Sequence, residues 1–501
     1  MTVAIENTPP GVSAIINAGQ TSRPVERQPS STAFLVGYAP WGPTNQPITV
    51  TSFSDYARKF GPLHANSRLA DAVKVFFDFY GGRQAIVSRV VGATPVKDTL
   101  TLVDSVDEDT LRVDAKYPST DVDIKVTVAT GTAANSKKFT FASVYLGVTE
   151  VFDNVTLDAD SLLFVNERSK LVDLVDLDSV TAAPGNLPDN LVATALATGT
   201  DDFAGLDQTE YVAGLAAFAD SNLGTGQVAV PGITHSTVYA ALKTHAELYQ
   251  RLAILDAALG NDVAEMLAVD TSAYRSSHVA LYYPWQQMLD MAGSGAKKFY
   301  PPSIFALGAC AKVDRTVGVH KAPANIPAYG VIDVERNTDG TPMFSDNARA
   351  LLSEKQINVI APIQNEGIKI YDAKVLYPTG ETRVRTLHER RVLNLLFYSL
   401  KLGLSWAVFE PVSGKLFRSL KSSASNFCRN LWNAGAFYGK TEADAFLVTC
   451  DESNNPPESL ELGIVKIQVS VKISPAAERI IVNIDNVPLS QDLNILNGGE
   501  N

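Results

Sequence analysis

Three short apolar runs decide the fold: Val228-Ala229-Val230-Pro231-Gly232, Leu252-Ala253-Ile254-Leu255-Asp256 and Val279-Ala280-Leu281-Tyr282-Tyr283-Pro284. Each has the composition of a buried strand and closes on Pro, Gly or Asp. Helical patterns fill the intervals, over Thr237–Tyr249 and near Asp262–Leu267. Strands alternating with helices predict a parallel α/β core with right-handed crossovers. Working outward, Ala33–Tyr38 reads as a further strand ended by Pro40, and Ile48-Thr49-Val50 as another. A helix starts at Phe53 after Ser52. A second, Leu69–Phe77, stops before Gly81-Gly82, and Ala85–Val91 is again a buried type of strand.

Residues 98–200 interrupt this core with a different composition. Asp, Val and Thr dominate, and Val122–Val128 alternates apolar with polar residues, which predicts an inserted β-rich domain. That stretch holds 17 acidic and 7 basic side chains, net −10, whereas 383–440 holds 10 basic and 2 acidic, net +8. The formal net charge of −12 argues against general nucleic-acid binding. The asymmetry suggests one region facing solvent and another facing an acidic partner.

The C-terminal third carries a helix over Leu387–Leu402, a strand at Trp406–Phe409, and a helix from about Lys415 to Ala434. On the last of these, Leu416, Phe417, Leu420, Ala424, Phe427, Cys428 and Leu431 share one arc. Lys415, Arg418 and Arg429 lie opposite with Lys421 at the edge, and no acid is among them. We read these four as a docking face for an acidic protein surface. A strand at Ala445–Thr449 precedes a strictly alternating run, with Val465, Ile467, Val469, Val471 and Ile473 on one side and Lys466, Gln468, Ser470 and Lys472 on the other. A hairpin alone is marginal and exposes two edges. Strand-like runs near the two ends, Val12, Ile15 and Ile16 and then Ile480, Val482 and Ile484, predict strand exchange between subunits at Val465, Ile467 and Val469.

Enzymatic readings find little support. Asp256 and the Pro231-Gly232 turn occupy strand ends where ligands bind in open α/β sheets, and an α/β enzyme using them is the alternative reading. Gly224-Thr225-Gly226 precedes its strand and lacks the third glycine of a dinucleotide fingerprint; no phosphate loop, metalloprotease helix or nucleophile elbow is present. The His388-Glu389-Arg390-Arg391 cluster reads as a helix start with a salt-bridged polar face. Cys310, Cys428 and Cys450 are widely spaced and share no His/Cys cluster, so neither a disulfide framework nor a metal site is expected. We expect no cofactor and no catalytic residue. The first twenty residues lack the pattern of a secretory signal, and no run is long and apolar enough for a membrane span.

One resemblance spans most of the chain. It is carried by Pro10-Gly11-Val12, Ser31–Gly37 with Ala39-Pro40-Trp41-Gly42-Pro43, Phe76-Phe77 with Gly81–Ala85, and Tyr283-Pro284-Trp285. Further on it includes Pro301-Pro302-Ser303, Asp314–Asn325, Trp406–Pro411, Leu431–Ala436, Cys450-Asp451 and Asn455-Pro456-Pro457. In this order the motifs resemble the tail sheath family of contractile phages, tailocins and related injection systems. The resemblance implies a structural subunit that stacks as hexameric rings around an inner tail tube and contracts to drive that tube through an envelope, without nucleotide hydrolysis. It implies terminal arms that add strands to neighbouring subunits, with baseplate and tail terminator proteins as further partners and no direct contact with nucleic acid or membrane. Assembly in the host bacterial cytoplasm and residence in a virion tail or injection particle follow from it. The polar tail from Asp485 to Asn501 has no counterpart in the resemblance.

The expected organisation is a mixed α/β, multi-domain chain. It comprises an N-terminal arm (1–22), a core domain (23–97 and 201–375), the inserted outer domain (98–200), a C-terminal inner domain (376–476) and a C-terminal arm (477–501). A different self-assembling shell protein is the remaining alternative.

Overall fold

A computed structural model describes residues 23–335, 344–363, 365–380 and 383–477. The three deciding runs all lie in one nine-stranded sheet. Its order is Ile326–Pro327, Gly367–Ile370, Ile357–Ile363, Val279–Tyr283, Leu252–Asp256, Gly226–Ala229, Thr32–Tyr38, Ala85–Val90 and Ile48–Val50. Every pairing from Ile357–Ile363 across to Ala85–Val90 is parallel. At both margins the pairing turns antiparallel, so the sheet is mixed, not purely parallel as the strand–helix alternation predicts. The cause at one margin is local: the link from Ile363 to Gly367 is far too short for a crossover and can only make a hairpin.

The central strands are buried on both faces, which explains their unbroken apolar composition. All of Thr32–Tyr38 is buried. Period-two geometry sends Ala33 and Leu35 into one apolar cluster and Phe34 and Val36 into the other. The same split places Leu252 and Ile254 opposite Ala253 and Leu255. Helices Arg68–Lys74 and Pro302–Thr316 cover the first face, and Ser236–Leu248 and Asp346–Glu354 the second. Each large apolar side chain fully buried here stabilises the fold by about 1.5–3 kcal/mol.

Between Thr99 and Ala195 lie a three-stranded and a four-stranded antiparallel sheet and the helix Ala159–Arg168. They enclose their own cluster, running from Leu102 to Leu196 and joined by Trp41. The buried Arg89 guanidinium ties this unit to the core, donating to the Ala39, Gly42 and Pro118 carbonyls at 2.7 Å each. The Tyr38 hydroxyl donates to Asp201 at 2.7 Å.

In the C-terminal region helices Leu387–Gly403 and Gly414–Asn433 pack with a hairpin of Phe446–Thr449 and Gln468–Val471. The strand expected at Trp406–Phe409 is absent. Ser405–Ala407 forms a short 3-10 turn, and Phe409 follows in a left-handed conformation (φ 65°) with its ring fully exposed. The alternating run from Gly463 is paired as a strand only over Gln468–Val471. Among the described residues no helix is long and apolar enough to cross a membrane.

Candidate assembly interface

The hairpin and the long helix beneath it contain the described part of the sequence-predicted site. Helix Gly414–Asn433 begins at Ser413, whose hydroxyl accepts from the Leu416 amide, and buries Leu416, Phe417, Leu420, Ala424, Phe427, Cys428 and Leu431, the arc expected from the sequence. Phe427, Cys428 and Leu431 join the same cluster as Val448, Ile467, Val469, Val471 and Ile473 of the hairpin.

The alternation holds residue by residue. Val465, Ile467, Val469, Val471 and Ile473 are half-buried, and Lys466, Gln468, Ser470 and Lys472 are exposed. The backbone is asymmetric too. The Lys472 amide donates to the Ala445 carbonyl at 2.9 Å, and the Lys472 carbonyl accepts from Tyr438 at 2.8 Å. The Lys466 amide donates to Asn455 Oδ1 at 2.5 Å. Even-numbered residues therefore direct their backbone groups inward, toward the partner strand and the Asn454-Asn455 turn. Odd-numbered ones direct theirs to the other edge. No other strand pairs with that edge among the described residues. An exposed edge of this kind is a template for another strand. Val12, Ile15, Ile16, Ile480, Val482 and Ile484 lie outside the described residues.

The four cations of the expected docking face separate into two kinds. Arg429 forks onto Glu442, with Nε and Nη2 each 2.8 Å from a carboxylate oxygen. That hydrogen bonding raises the arginine pKa and lowers that of the glutamate. Lys421 sits 3.7 Å from Asp451. Lys415 and Arg418, a turn earlier, are exposed and have no ion-pair partner among the described residues. The sequence arc missed Glu442 because it arrives from a separate short helix, Glu442–Ala445.

At the alternative site at the strand ends the Asp256 carboxylate is committed to hydrogen bonds that hold the fold. Asp256 is buried and accepts from the Ser303 amide at 2.6 Å, the Ser303 hydroxyl at 2.8 Å and the Gly232 amide at 2.8 Å. Burial pushes its carboxyl up to about 6, against the pull of those donors. The aspartate thus fastens the start of helix Pro302–Thr316 to the end of its strand. His388 and its neighbours form a helix start, with the Thr386 amide donating to Glu389 at 2.9 Å. Arg391 inserts between the two regions and meets Asp314 at 2.6 Å, with both side chains buried. The three cysteines are free and buried, and among the described residues no His, Cys, Asp and Glu group could hold a metal.

No family model matches the chain. A tail sheath protein of Burkholderia phage BcepMu is 24% identical over 485 residues, covering 92% of this chain and 93% of the relative. Among solved structures, the anti-feeding prophage helical sheath in its contracted state superposes with a TM-score of 0.59 at 19% identity, covering 96% of this chain and all of that one. The contracted sheath complex of an extracellular contractile injection system, PVC, gives 0.54 at 16% identity over 99% of this chain and all of its own. A sheath tail protein from Listeria innocua gives 0.59 at 14% identity over 85% and 89%. The structural likenesses establish the fold over nearly the whole chain. The chain is thus similar in sequence to a phage tail sheath protein over nearly its whole length and shares the fold of solved contractile sheath proteins.

Proposed function

We propose that the chain is a contractile-tail sheath subunit that polymerises as stacked hexameric rings around an inner tube, and that strand exchange at the hairpin links each subunit to its neighbours. The observation that carries this reading is the open outer edge of Gln468–Val471, with backbone groups aligned outward and half-buried apolar side chains beneath. In this reading residues 1–22 and 477–501 are the exchanged arms. Val12, Ile15, Ile16, Ile480, Val482 and Ile484 supply strands, and Val465, Ile467 and Val469 receive them. Residues 98–200 form the outward domain, and 376–476 line the inside. Contraction then draws its energy from subunit repacking, with no nucleotide hydrolysed. The tube, baseplate and tail terminator proteins are its partners, and assembly takes place in the host bacterial cytoplasm.

Lys415 and Arg418 lead the docking on an acidic tube in this reading, since Lys421 and Arg429 already face Asp451 and Glu442. Removing residues 1–20 is expected to abolish tubular polymers in negative-stain micrographs while leaving a folded monomer. Polymers that persist without those residues would contradict strand exchange. Replacing Lys415, Arg418, Lys421 and Arg429 by Glu is expected to uncouple assembly from the tube at low salt without unfolding the domain.

A further inference from the structure

A cavity of about 470 Å3 opens between the first described residues and the end of helix Pro302–Thr316. Arg27, Arg83 and Arg315 line it. All three are exposed, and none has an ion-pair partner among the described residues. The one carboxylate in the wall, Asp314, is already engaged by Arg391 at 2.6 Å and by the Ser30 hydroxyl at 2.6 Å. The cavity therefore collects three positive charges and neutralises none of them. Like charges gathered around one concavity repel, and a guanidinium fork matches a carboxylate with two parallel hydrogen bonds.

Arg315 also lies against the backbone of a neighbouring turn. Its guanidinium lies against Gly81, where an added Cβ would stand 3.2 Å from Cζ and from Nη2. Gly81 is in the left-handed region (φ 67°), so both its conformation and the lack of a side chain leave room for the arginine. Burial and then the charge of nearby Arg27 hold His320 below its ordinary pKa. His320 in turn lines a second cavity of about 740 Å3, together with Ser474 and Ala477 at the end of the described C-terminal region. The roots of the two end segments thus flank the same histidine.

The sequence beyond Ala477 has the complementary charge. Residues 478–501 hold Glu478, Asp485, Asp492 and Glu500 against Arg479 alone, net −3. We propose that the three-arginine cavity at the root of the N-terminal segment receives the acidic segment 478–501 of a second copy of the chain. This rests on the sheath reading and adds to it a charge lock that is separate from the strand pairing at the hairpin.

Two full-length variants test it. One carries Arg27→Glu, Arg83→Glu and Arg315→Glu; the other carries Asp485→Lys, Asp492→Lys and Glu500→Lys. Each alone is expected to raise the subunit concentration needed for polymerisation about tenfold at low salt, with the melting temperature unchanged. Mixing the two is expected to restore the wild-type threshold, because each cavity then meets a tail of opposite charge on the other chain. Unchanged thresholds in the separate variants would overturn the proposal. So would recovery only when all six substitutions share one chain, since that marks capture of a subunit's own tail. A wild-type chain that forms no polymer would overturn the sheath reading itself, and this inference with it.

Discussion

The central sheet and the C-terminal hairpin are both built from apolar strands, yet they solve opposite problems. Thr32–Tyr38 is buried along its whole length, paired on both edges and covered on both faces. Gln468–Val471 is half-buried on one face, exposed on the other, and paired on a single edge. The first arrangement is complete within one chain. The second keeps a row of backbone donors and acceptors available, at a cost in stability that a neighbour's strand would offset. The difference separates what folds the chain from what, in the proposed assembly, links it to others, and substitutions can probe each side.

The largest expected effect falls in the sheet. Phe34→Ala removes a fully buried ring that packs edge-on against Phe218 at 5.4 Å, and should cost about 3–5 kcal/mol in urea unfolding. A change well below that would show that the two-faced burial is not what holds the core.

Arg391→Leu comes next. It strands Asp314 at the junction of core and C-terminal region, and about 3 kcal/mol of lost stability is expected because a buried charge is left unpaired. Replacing Asp314 by Leu as well should recover part of the loss. The surface pair offers the contrast: Arg429→Ala should cost less than about 1 kcal/mol, since Arg429 and Glu442 are screened by water.

Asp256 yields a pH signature for the sheet. Its folded pKa of about 6 lies above the ordinary carboxylate value, so its stabilising share is fully present below pH about 4 and is lost as pH rises through about 6. In Asp256→Asn this slope should vanish from unfolding free energies measured between pH 4 and 7. The hairpin region contributes no such step from Asp451, whose pKa is lowered, chiefly by the Ser453 hydroxyl.

These contrasts follow what was and was not legible in the sequence. The strands Leu252–Asp256 and Val279–Tyr283 were legible to the residue because burial on both faces leaves an unbroken apolar run. The hairpin's sidedness was legible because half-burial leaves alternation. Trp406–Phe409 misled because four apolar residues in a row suit a buried strand, whereas Gly403 ends its helix and the chain turns outward through the left-handed Phe409. The antiparallel sheet margins, the Arg391–Asp314 pair and the Arg429–Glu442 fork had no local signal. Each joins residues whose proximity is set by the assembled fold, not by spacing along the chain. For the same reason the docking face read as four unpaired cations, although two of them have carboxylates nearby.

The outward edge of Gln468–Val471 carries the proposed linkage, and one substitution addresses it directly. The Val469 amide lies on that edge and serves no pairing within the hairpin, so Val469→Pro should leave the monomer's melting temperature close to wild type. Ser470→Pro, whose amide faces the partner strand, should lower it. In negative-stain microscopy and sedimentation, a folded Val469→Pro chain that forms no tubular polymers is the predicted result. Wild-type polymers from that variant would contradict strand addition at this edge.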